Sequence, residues 1–174
     1  FPYTTLFRSL RTGELRGASW QEIDDQVAVW EIPAERMKMR RPHIVPLSQQ
    51  ALSIIARIRS ITGRYTLMFP GRNDPRKTMS EASINQVFKR IGYTGKVTGH
   101  GFRHTMSTIL HEQGYNTAWI ETQLAHVDKN SIRGTYNHAQ YLDGRREMLQ
   151  WYADYMDALE KGENVVHGKF VKSA

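Results

Sequence analysis

The hydrophobic pattern of this chain changes character at Ser48, and that change limits what the chain can fold into. From Trp20 to Leu47, short β-branched and aromatic runs are separated by turn residues, which is typical of an antiparallel sheet. After Ser48, apolar residues recur at three- and four-residue spacing, which indicates amphipathic helices. The order of the two patterns predicts an α+β fold that is mainly α, with a small three-stranded antiparallel sheet near the N-terminus.

Turn residues, helix caps and terminal glycines set the expected boundaries of the individual elements. The expected strands are Trp20–Ile23, Val27–Ile32 and His43–Leu47, with a turn at Asp24-Asp25. Helices are expected from Ser48 to Gly63, Ser80 to Gly92, near Gly101 to Gly114, after Asn116, from Asp128 towards Tyr136, and from about Gly144 to Leu159. The first helix should bury Ala51, Ile54, Ile55, Ile58 and Ile61.

The composition narrows the class of partner. Twenty-four Lys and Arg stand against seventeen Asp and Glu, a net charge of +7 with a pI near 9.8. This balance favours an anionic partner such as nucleic acid, although a histone-like or ribosomal surface would give the same arithmetic. The chain has no cysteine, so disulfides and cysteine-based zinc sites are excluded. No apolar stretch approaches the ~18 residues of a membrane span, so we expect a cytoplasmic protein without a membrane partner.

Six side chains at predicted element boundaries form a chemically coherent set. They are Arg11, Lys38, His100, Arg103, His126 and Tyr136. An arginine fork matches two phosphate oxygens, lysine and histidine can transfer protons, and a tyrosine hydroxyl can act as a covalent nucleophile. Together these residue types predict chemistry on a phosphodiester.

These six residues stand in four motifs that are separated along the sequence. They are Arg11-Thr12-Gly13-Glu14-Leu15 before Trp20, Lys38 ahead of Val45-Pro46-Leu47, His100-Gly101-Phe102-Arg103-His104-Thr105, and Leu124-Ala125-His126 followed by Tyr136-Asn137-His138-Ala139. From about Leu10 to Leu159 the chain resembles the tyrosine recombinases, also called phage integrases, and within them the integrases of prophages and genomic islands. The resemblance implies a site-specific recombinase that integrates or excises a mobile element.

The resemblance also implies a covalent mechanism on double-stranded DNA. Arg11 and Arg103 would clamp the scissile phosphate and stabilise the charge of a pentacoordinate transition state. Tyr136 would attack the phosphorus, forming a 3′-phosphotyrosine and releasing a 5′-hydroxyl. Neither a metal nor a cofactor would be required, because side chains supply the positive charge.

The remaining site residues receive supporting roles from the same resemblance. Lys38 would be the general acid for the leaving oxygen, His100 a general acid/base near the tyrosine, and His126 a hydrogen-bond partner of the phosphate. Glu14 would orient an arginine, and the ring of His104 would pack beside the site. Arg36, Arg40 and Arg41 would hold the DNA backbone, which fixes position but not sequence. Arg16 would not be catalytic if Trp20 sets the register.

Several alternatives remain open. The interval from His126 to Tyr136 is one residue longer than in many family members, so Tyr141 is a rival nucleophile. His100 and His104 are spaced like zinc ligands on a helix, but no glutamate stands between them and no carboxylate cluster lies nearby. Related chemistry would also suit a type IB topoisomerase, and a non-catalytic DNA-binding module would share the basic surface.

The ends of the chain lead to expectations about domains and assembly. Residues 1–9 resemble the translation of a sequencing-library adapter, so we expect the natural protein to be longer and to continue upstream of Leu10. Residues 10–160 would then be an N-terminally truncated catalytic domain, and 161–174 a polar flexible tail. The aromatic stripe of the last helix would either pack on its own core or dock on a neighbour, giving a homotetramer on DNA at the bacterial nucleoid.

Overall fold

The computed structural model describes residues 9–126 and 141–163. Its sheet contains strands β1 (Ile23–Asp24), β2 (Val29–Ile32) and β3 (His43–Pro46), which are antiparallel in the order β1-β2-β3. Trp30 lies opposite Ile23 on one side and Val45 on the other. The predicted three-stranded antiparallel sheet near the N-terminus is therefore confirmed.

The first predicted strand is wrong over most of its length. Trp20–Glu22 forms a 3-10 turn, and only Ile23 of the expected strand pairs with β2. The reason is a local capping box: the Ser19 hydroxyl accepts the Gln21 backbone N–H, and the Glu22 carboxylate accepts the Ser19 N–H at 3.3 Å. These short-range hydrogen bonds outweigh the β propensity of the aromatic and branched residues.

Helices make up most of the rest of the described chain. They are α1 (Thr12–Arg16), α2 (Gln49–Thr62), α3 (Ala82–Arg90), α4 (Gly99–Glu112), α5 (Thr117–Gln123) and α6 (Leu142–Lys161). The predicted caps of α2 and α5 are present, since the Ser48 hydroxyl accepts the Ala51 N–H and the Asn116 amide oxygen accepts the Ala118 N–H. The helix expected from Asp128 lies outside the described residues.

Two differences concern where helices start. The α4 helix begins two residues earlier than expected, at Gly99, because the Thr98 hydroxyl accepts the Gly101 N–H at 3.0 Å and so caps it. The short α1 helix was not predicted, since five residues are too few to show a helical period. Both differences affect the elements that carry the candidate site.

Two apolar clusters form the interior. The sheet-side core packs the sheet against α2 and consists of Leu10, Ala18, Trp30, Ile32, Met37, Val45, Leu47, Ala51, Ile54, Ile55, Ile58 and Met68. The helical core joins α4, α5 and α6 and consists of Met106, Leu110, Tyr115, Ile120, Leu124, Met148 and Tyr152. The prediction that Ile61 is buried is wrong, because it lies in the last turn of α2 on an open apolar groove and is 69% exposed.

The aromatic stripe of α6 packs on its own chain. Met148 and Tyr152 are buried in the helical core, and the ring of Trp151 lies 5.5 Å from that of Tyr115. This is the first of the two predicted fates for the stripe. Leu159, one of its members, is 48% exposed near the end of the helix. Within the described ranges, none of the helices combines the length and the apolar character that a membrane span needs.

Candidate active site

Arg11 stands immediately before α1 and is held by a buried carboxylate. Glu14 is 5% exposed, and its two oxygens accept the Arg11 backbone N–H and the Arg11 Nη1, each at 2.8 Å. The side chain of Arg11 remains 32% exposed. The carboxylate therefore fixes the direction of the guanidinium while leaving part of it open to a ligand.

Arg103 occupies the first half of α4 and is 6% exposed. Its two terminal nitrogens donate to the carbonyl oxygens of Ser9 and Leu124. Burial, followed by the nearby charge of Arg11, lowers the pKa of Arg103 to about 10, against the opposing charges of Glu14 and Glu121. The group is still protonated at neutral pH, and the charge of Arg11 acts on it.

A glycine allows the helices that carry these arginines to meet. A Cβ atom on Gly99 would lie 2.8 Å from Cγ2 of Thr12, closer than real contacts allow. The first turn of α4 can therefore approach α1 closely only because residue 99 has no side chain. This turn also carries His100, which is exposed and lies three residues before Arg103, on the same side of the helix.

His126 follows α5 and forms a hydrogen bond with a residue of that helix. Its Nδ1 lies 2.7 Å from Oε2 of Glu121, and both side chains are nearly half exposed. Glu121 also influences the charge on Arg103, so this pair belongs to the same electrostatic cluster. Sequence reasoning missed Glu121, because the pairing spans five residues across the end of a helix and follows no helical spacing.

The connection between β2 and β3 places basic side chains in solvent. Lys38, Arg40 and Arg41 are exposed, and within the described part of the chain their side chains form no hydrogen bond or ion pair. Arg36 is different, since its two terminal nitrogens donate to the Glu22 carboxylate and to the Glu14 carbonyl oxygen. Arg36 thus braces this connection against α1, and its contact with DNA stays a prediction.

Two further residues, His104 and Arg16, do not contribute a free side chain to the site. His104 is exposed, so the expected packing of its ring is wrong. It follows the inward-facing Arg103 by one residue, and this step of roughly 100° around the helix turns it towards solvent. Arg16 donates to the carbonyl oxygen of Met79 at 2.9 Å and has its own structural partner.

The two candidate nucleophiles differ in what can be said of them. Tyr136, with the Asn137-His138-Ala139 motif after it, lies outside the described residues. Tyr141 is the residue immediately before α6 and is half-buried. The choice between the two tyrosines stays a prediction.

A buried polar network beneath the site was missed entirely. Arg145 is fully buried, and its Nε and Nη2 donate to Oε1 of Gln123 at 3.0 and 2.7 Å. Gln123 is itself fully buried, and its carbonyl oxygen lies 3.2 Å from Nε2 of His43. Sequence reasoning had no signal for this, because a polar residue in a helical pattern is ordinarily exposed.

Fold and site together define a class of protein: a mainly helical domain with a small sheet, in which two neighbouring guanidinium groups and a histidine–carboxylate pair can receive a phosphate. Among the described residues, no group of three histidines or carboxylates could hold a metal ion.

Residues 5–142 match the Phage integrase family, and the chain therefore belongs to this family, the tyrosine recombinases. It is 46% identical over 152 residues to the integrase of Shigella phage Sf6 and, with the same figures, to the prophage integrase IntS of Escherichia coli (strain K12). Each alignment covers 87% of this chain and 40% of the relative. The predicted family is confirmed, and the chain spans about 40% of the length of these relatives.

Solved structures agree on the fold. The integrase from mycobacterium phage Brujita superimposes with a TM-score of 0.62 at 19% identity, covering 86% of this chain and 49% of that one. The Tn1549 transposon integrase, solved in complex with circular intermediate DNA, gives 0.57 at 17% identity, covering 80% and 55%. The family match and the relatives that share 46% identity do not favour the topoisomerase or the non-catalytic module.

Proposed function

We propose that this chain is the catalytic region of a prophage-type integrase, which breaks and rejoins duplex DNA one strand at a time and so integrates or excises a mobile element. The observation that carries the proposal is the contact of α1 with α4, by which the elements that bear Arg11 and Arg103 meet and the charge of Arg11 acts on Arg103. Two adjacent guanidinium groups, one open to solvent, match the oxygens of a single phosphate.

The arginines supply the electrostatic part of the reaction. As Tyr136 attacks the phosphorus, negative charge grows on the non-bridging oxygens, and Arg11 and Arg103 stabilise that charge. The new bond is a 3′-phosphotyrosine, and the bond that breaks releases the 5′ oxygen. That oxygen takes a proton from Lys38, which is exposed on the connection between β2 and β3. The phosphotyrosine conserves the energy of the broken bond, so religation needs no cofactor.

The histidines act beside this pair of arginines. His100, in the exposed first turn of α4, would accept the proton that the Tyr136 hydroxyl loses as it attacks, and would return it during religation. His126 has Nδ1 engaged by Glu121, which leaves Nε2 as the nitrogen that can reach the phosphate.

Double-stranded DNA bearing an attachment site is the proposed substrate. The net charge of +7 and the exposed Lys38, Arg40 and Arg41 support binding through phosphates. The Tn1549 integrase, similar in fold, is described in complex with DNA. We therefore place the site of action at the bacterial nucleoid, in the cytoplasm, and expect affinity to fall steeply with salt.

Assembly into a homotetramer on DNA is also proposed. The inner face of α6 packs on its own core, so a neighbour could use only its outer side, where Leu159 is exposed. Replacing the exposed Leu159 by aspartate should leave phosphate binding and abolish assembly, without removing the part of α6 that belongs to the helical core. Unchanged oligomerisation on DNA would sink this part of the proposal.

Trapping the covalent intermediate tests the chemistry. A pool of duplexes with randomised sequence, each nicked next to one phosphate, is incubated with the chain and resolved under denaturing conditions. We expect a covalent protein–DNA complex that is lost in Tyr136→Phe and retained in Tyr141→Phe. The Tyr141→Phe variant is the matched control, since it removes the same hydroxyl from the rival position.

The other outcomes distinguish the alternatives. A complex lost only in Tyr141→Phe would move the nucleophile to that residue. Intact DNA binding without any complex would support the non-catalytic module. Relaxation of a supercoiled plasmid without exchange of strands between partners would support the topoisomerase.

A further inference from the structure

We infer that Arg145 of α6 is a positioning residue, which sets the end of α5 and through it the geometry of Arg103 and His126. Among the described residues the side chain of Arg145 bonds Gln123 and Ile44, and neither is placed in contact with the phosphate, so we assign it a positioning and not a catalytic role. The inference rests on the proposed function for its effect on rate. Its structural part, the coupling of α6 to Arg103, stands on the contacts alone.

Two buried arginines from different helices hold neighbouring residues at the end of α5. Arg145 donates twice to the side chain of Gln123, the last residue of that helix. Arg103 donates to the carbonyl oxygen of the next residue, Leu124. His126 follows two residues later. A shift in either arginine must therefore move the segment on which the other depends.

Arg145 also ties this segment to the sheet. Its Nη2 donates to the carbonyl oxygen of Ile44 in β3 at 2.5 Å, across 101 residues of sequence. His43, the neighbour of Ile44, contacts the carbonyl oxygen of Gln123 at 3.2 Å. The end of α5 is thus fixed from both sides, by α6 and by the strand that follows the Lys38 connection.

The electrostatics show that this arrangement is not ordinary packing. Arg145 has no ion pair with a carboxylate among the described residues, and within that part of the chain its Nη1 has no hydrogen-bond partner. Burial lowers its pKa to about 10, so the group remains charged at neutral pH. A buried charge whose described partners are carbonyl and amide oxygens destabilises a fold unless those hydrogen bonds compensate it, so the acceptors have to stay in place. The network is therefore a rigid joint between α6 and the arginine site.

The neighbouring Arg146 provides a matched control. It carries the same charge on the same helix, but donates to the carbonyl oxygens of Ala28 and Val27 in the turn before β2, at 3.2 and 3.0 Å. It does not touch α5 or Arg103 in these contacts. Replacing Arg146 removes one positive charge from α6 without disturbing the joint.

The kinetic test compares Arg145→Met, Arg145→Lys and Arg146→Met. The rate of covalent complex formation is measured at saturating nicked DNA, and the Kd of binding separately in the Tyr136→Phe background. We expect Arg145→Met to slow the rate by about 10- to 100-fold, as loss of an orienting partner does, with the Kd nearly unchanged. Arg145→Lys should recover little, because an ammonium cannot reproduce the fork. Arg146→Met should keep the rate of the parent chain.

A double variant protects the test against misfolding. Arg145→Met combined with Gln123→Met removes donor and acceptor together and leaves no buried Gln123 amide oxygen without its donor. If Gln123 transmits the effect, the double variant is no slower than Arg145→Met alone, a non-additive result. A folded double variant, or a folded Arg145→Met, that cleaves at the parent rate overturns the inference.

A second readout does not need activity. In the full chain, the side-chain N–H signals of Arg103 are followed by NMR, with their exchange against water. We expect the Arg103 N–H groups to exchange faster in Arg145→Met than in the parent chain. In Arg146→Met their exchange rate should be unchanged. Identical Arg103 signals in Arg145→Met and the parent chain overturn the coupling, whatever the rates. Absence of a covalent complex in the parent chain, with altered Arg103 signals in Arg145→Met, would instead count against the proposed function alone.

Discussion

The sheet-side core and the helical core are built from different kinds of contact. Apart from Leu10, the members of the sheet-side core come from one continuous stretch, between Ala18 and Met68. The helical core joins α4 and α5 to α6, which follows residues 127–140 in the sequence. Short-range pairing can therefore organise the first core, whereas the second needs an element distant in sequence. The helical core therefore cannot form without α6, which supplies Met148 and Tyr152.

The candidate site lies where the two cores meet. Arg11 belongs to the sheet side, next to Leu10, and Arg103 lies one turn before Met106 of the helical core. Five of the six buried polar residues in the described part of the chain hydrogen-bond one another or link an element of the sheet side to one of the helical side. We call this set the polar seam; it consists of Ser9, His43, Arg103, Gln123 and Arg145. The geometry of the site therefore depends on how firmly one core is held against the other.

The largest effect should come from Trp30→Ala in the sheet-side core. Trp30 is fully buried and donates its indole N–H to Glu22 at 2.9 Å. Truncation should lower the free energy of unfolding by about 3–5 kcal/mol. Urea denaturation followed by circular dichroism and by tryptophan fluorescence measures this loss.

The same experiment asks whether the two cores unfold together. If the polar seam joins them firmly, both signals should shift to the same lower midpoint. Met148→Ala, in the fully buried centre of the helical core, is the matched variant, with an expected loss of about 2–5 kcal/mol. Two separate transitions in either variant would show that the two cores unfold independently and that the polar seam does not couple them.

The sequence predicted the apolar parts of this fold better than the polar seam. The Ser48 cap and the strand from His43 could be predicted because their signals are local. The strand at Trp20 was predicted wrongly, since a capping box overrode its β propensity.

The site divides in the same way. Arg11 and Arg103 stand in recognisable motifs, and the elements that carry them meet where Gly99 lies against Thr12. Arg145 and Arg146 are indistinguishable in the sequence, yet one is fully buried and the other half-buried. What separates them is a partner such as Ile44, 101 residues away, and no local pattern encodes that distance.

An intermediate effect is expected where α6 crosses α5. A Cβ atom on Gly144 would lie 2.4 Å from Cζ2 of Trp119. This atom belongs to the large indole ring, which cannot move aside easily. Alanine improves helix propensity by about 1 kcal/mol, but overpacking costs about 1–3 kcal/mol, so Gly144→Ala should be destabilising. Gly13→Ala in α1 is the control, because nothing lies within 4 Å of its Cβ position. We expect Gly13→Ala to be neutral or stabilising by up to about 1 kcal/mol. An equally stable Gly144→Ala would mean that α6 is free to shift on α5.

The smallest effects should come from one helix cap on each side of the seam. The Ser48 hydroxyl caps α2 and the Thr98 hydroxyl caps α4, each accepting a backbone N–H. Replacing either by alanine should cost about 1 kcal/mol in urea denaturation. Ser60→Ala is the control. Ser60 lies within α2, and its hydroxyl donates to the Arg57 carbonyl oxygen, so the free energy of unfolding of this variant should change by less than about 0.5 kcal/mol.

The two cap variants should differ in the rate at which they cleave nicked DNA. Thr98→Ala loosens the turn that carries His100 and should slow cleavage, whereas Ser48→Ala should leave the rate unchanged. Equal rates in the two cap variants would show that the start of α4 is not part of the site.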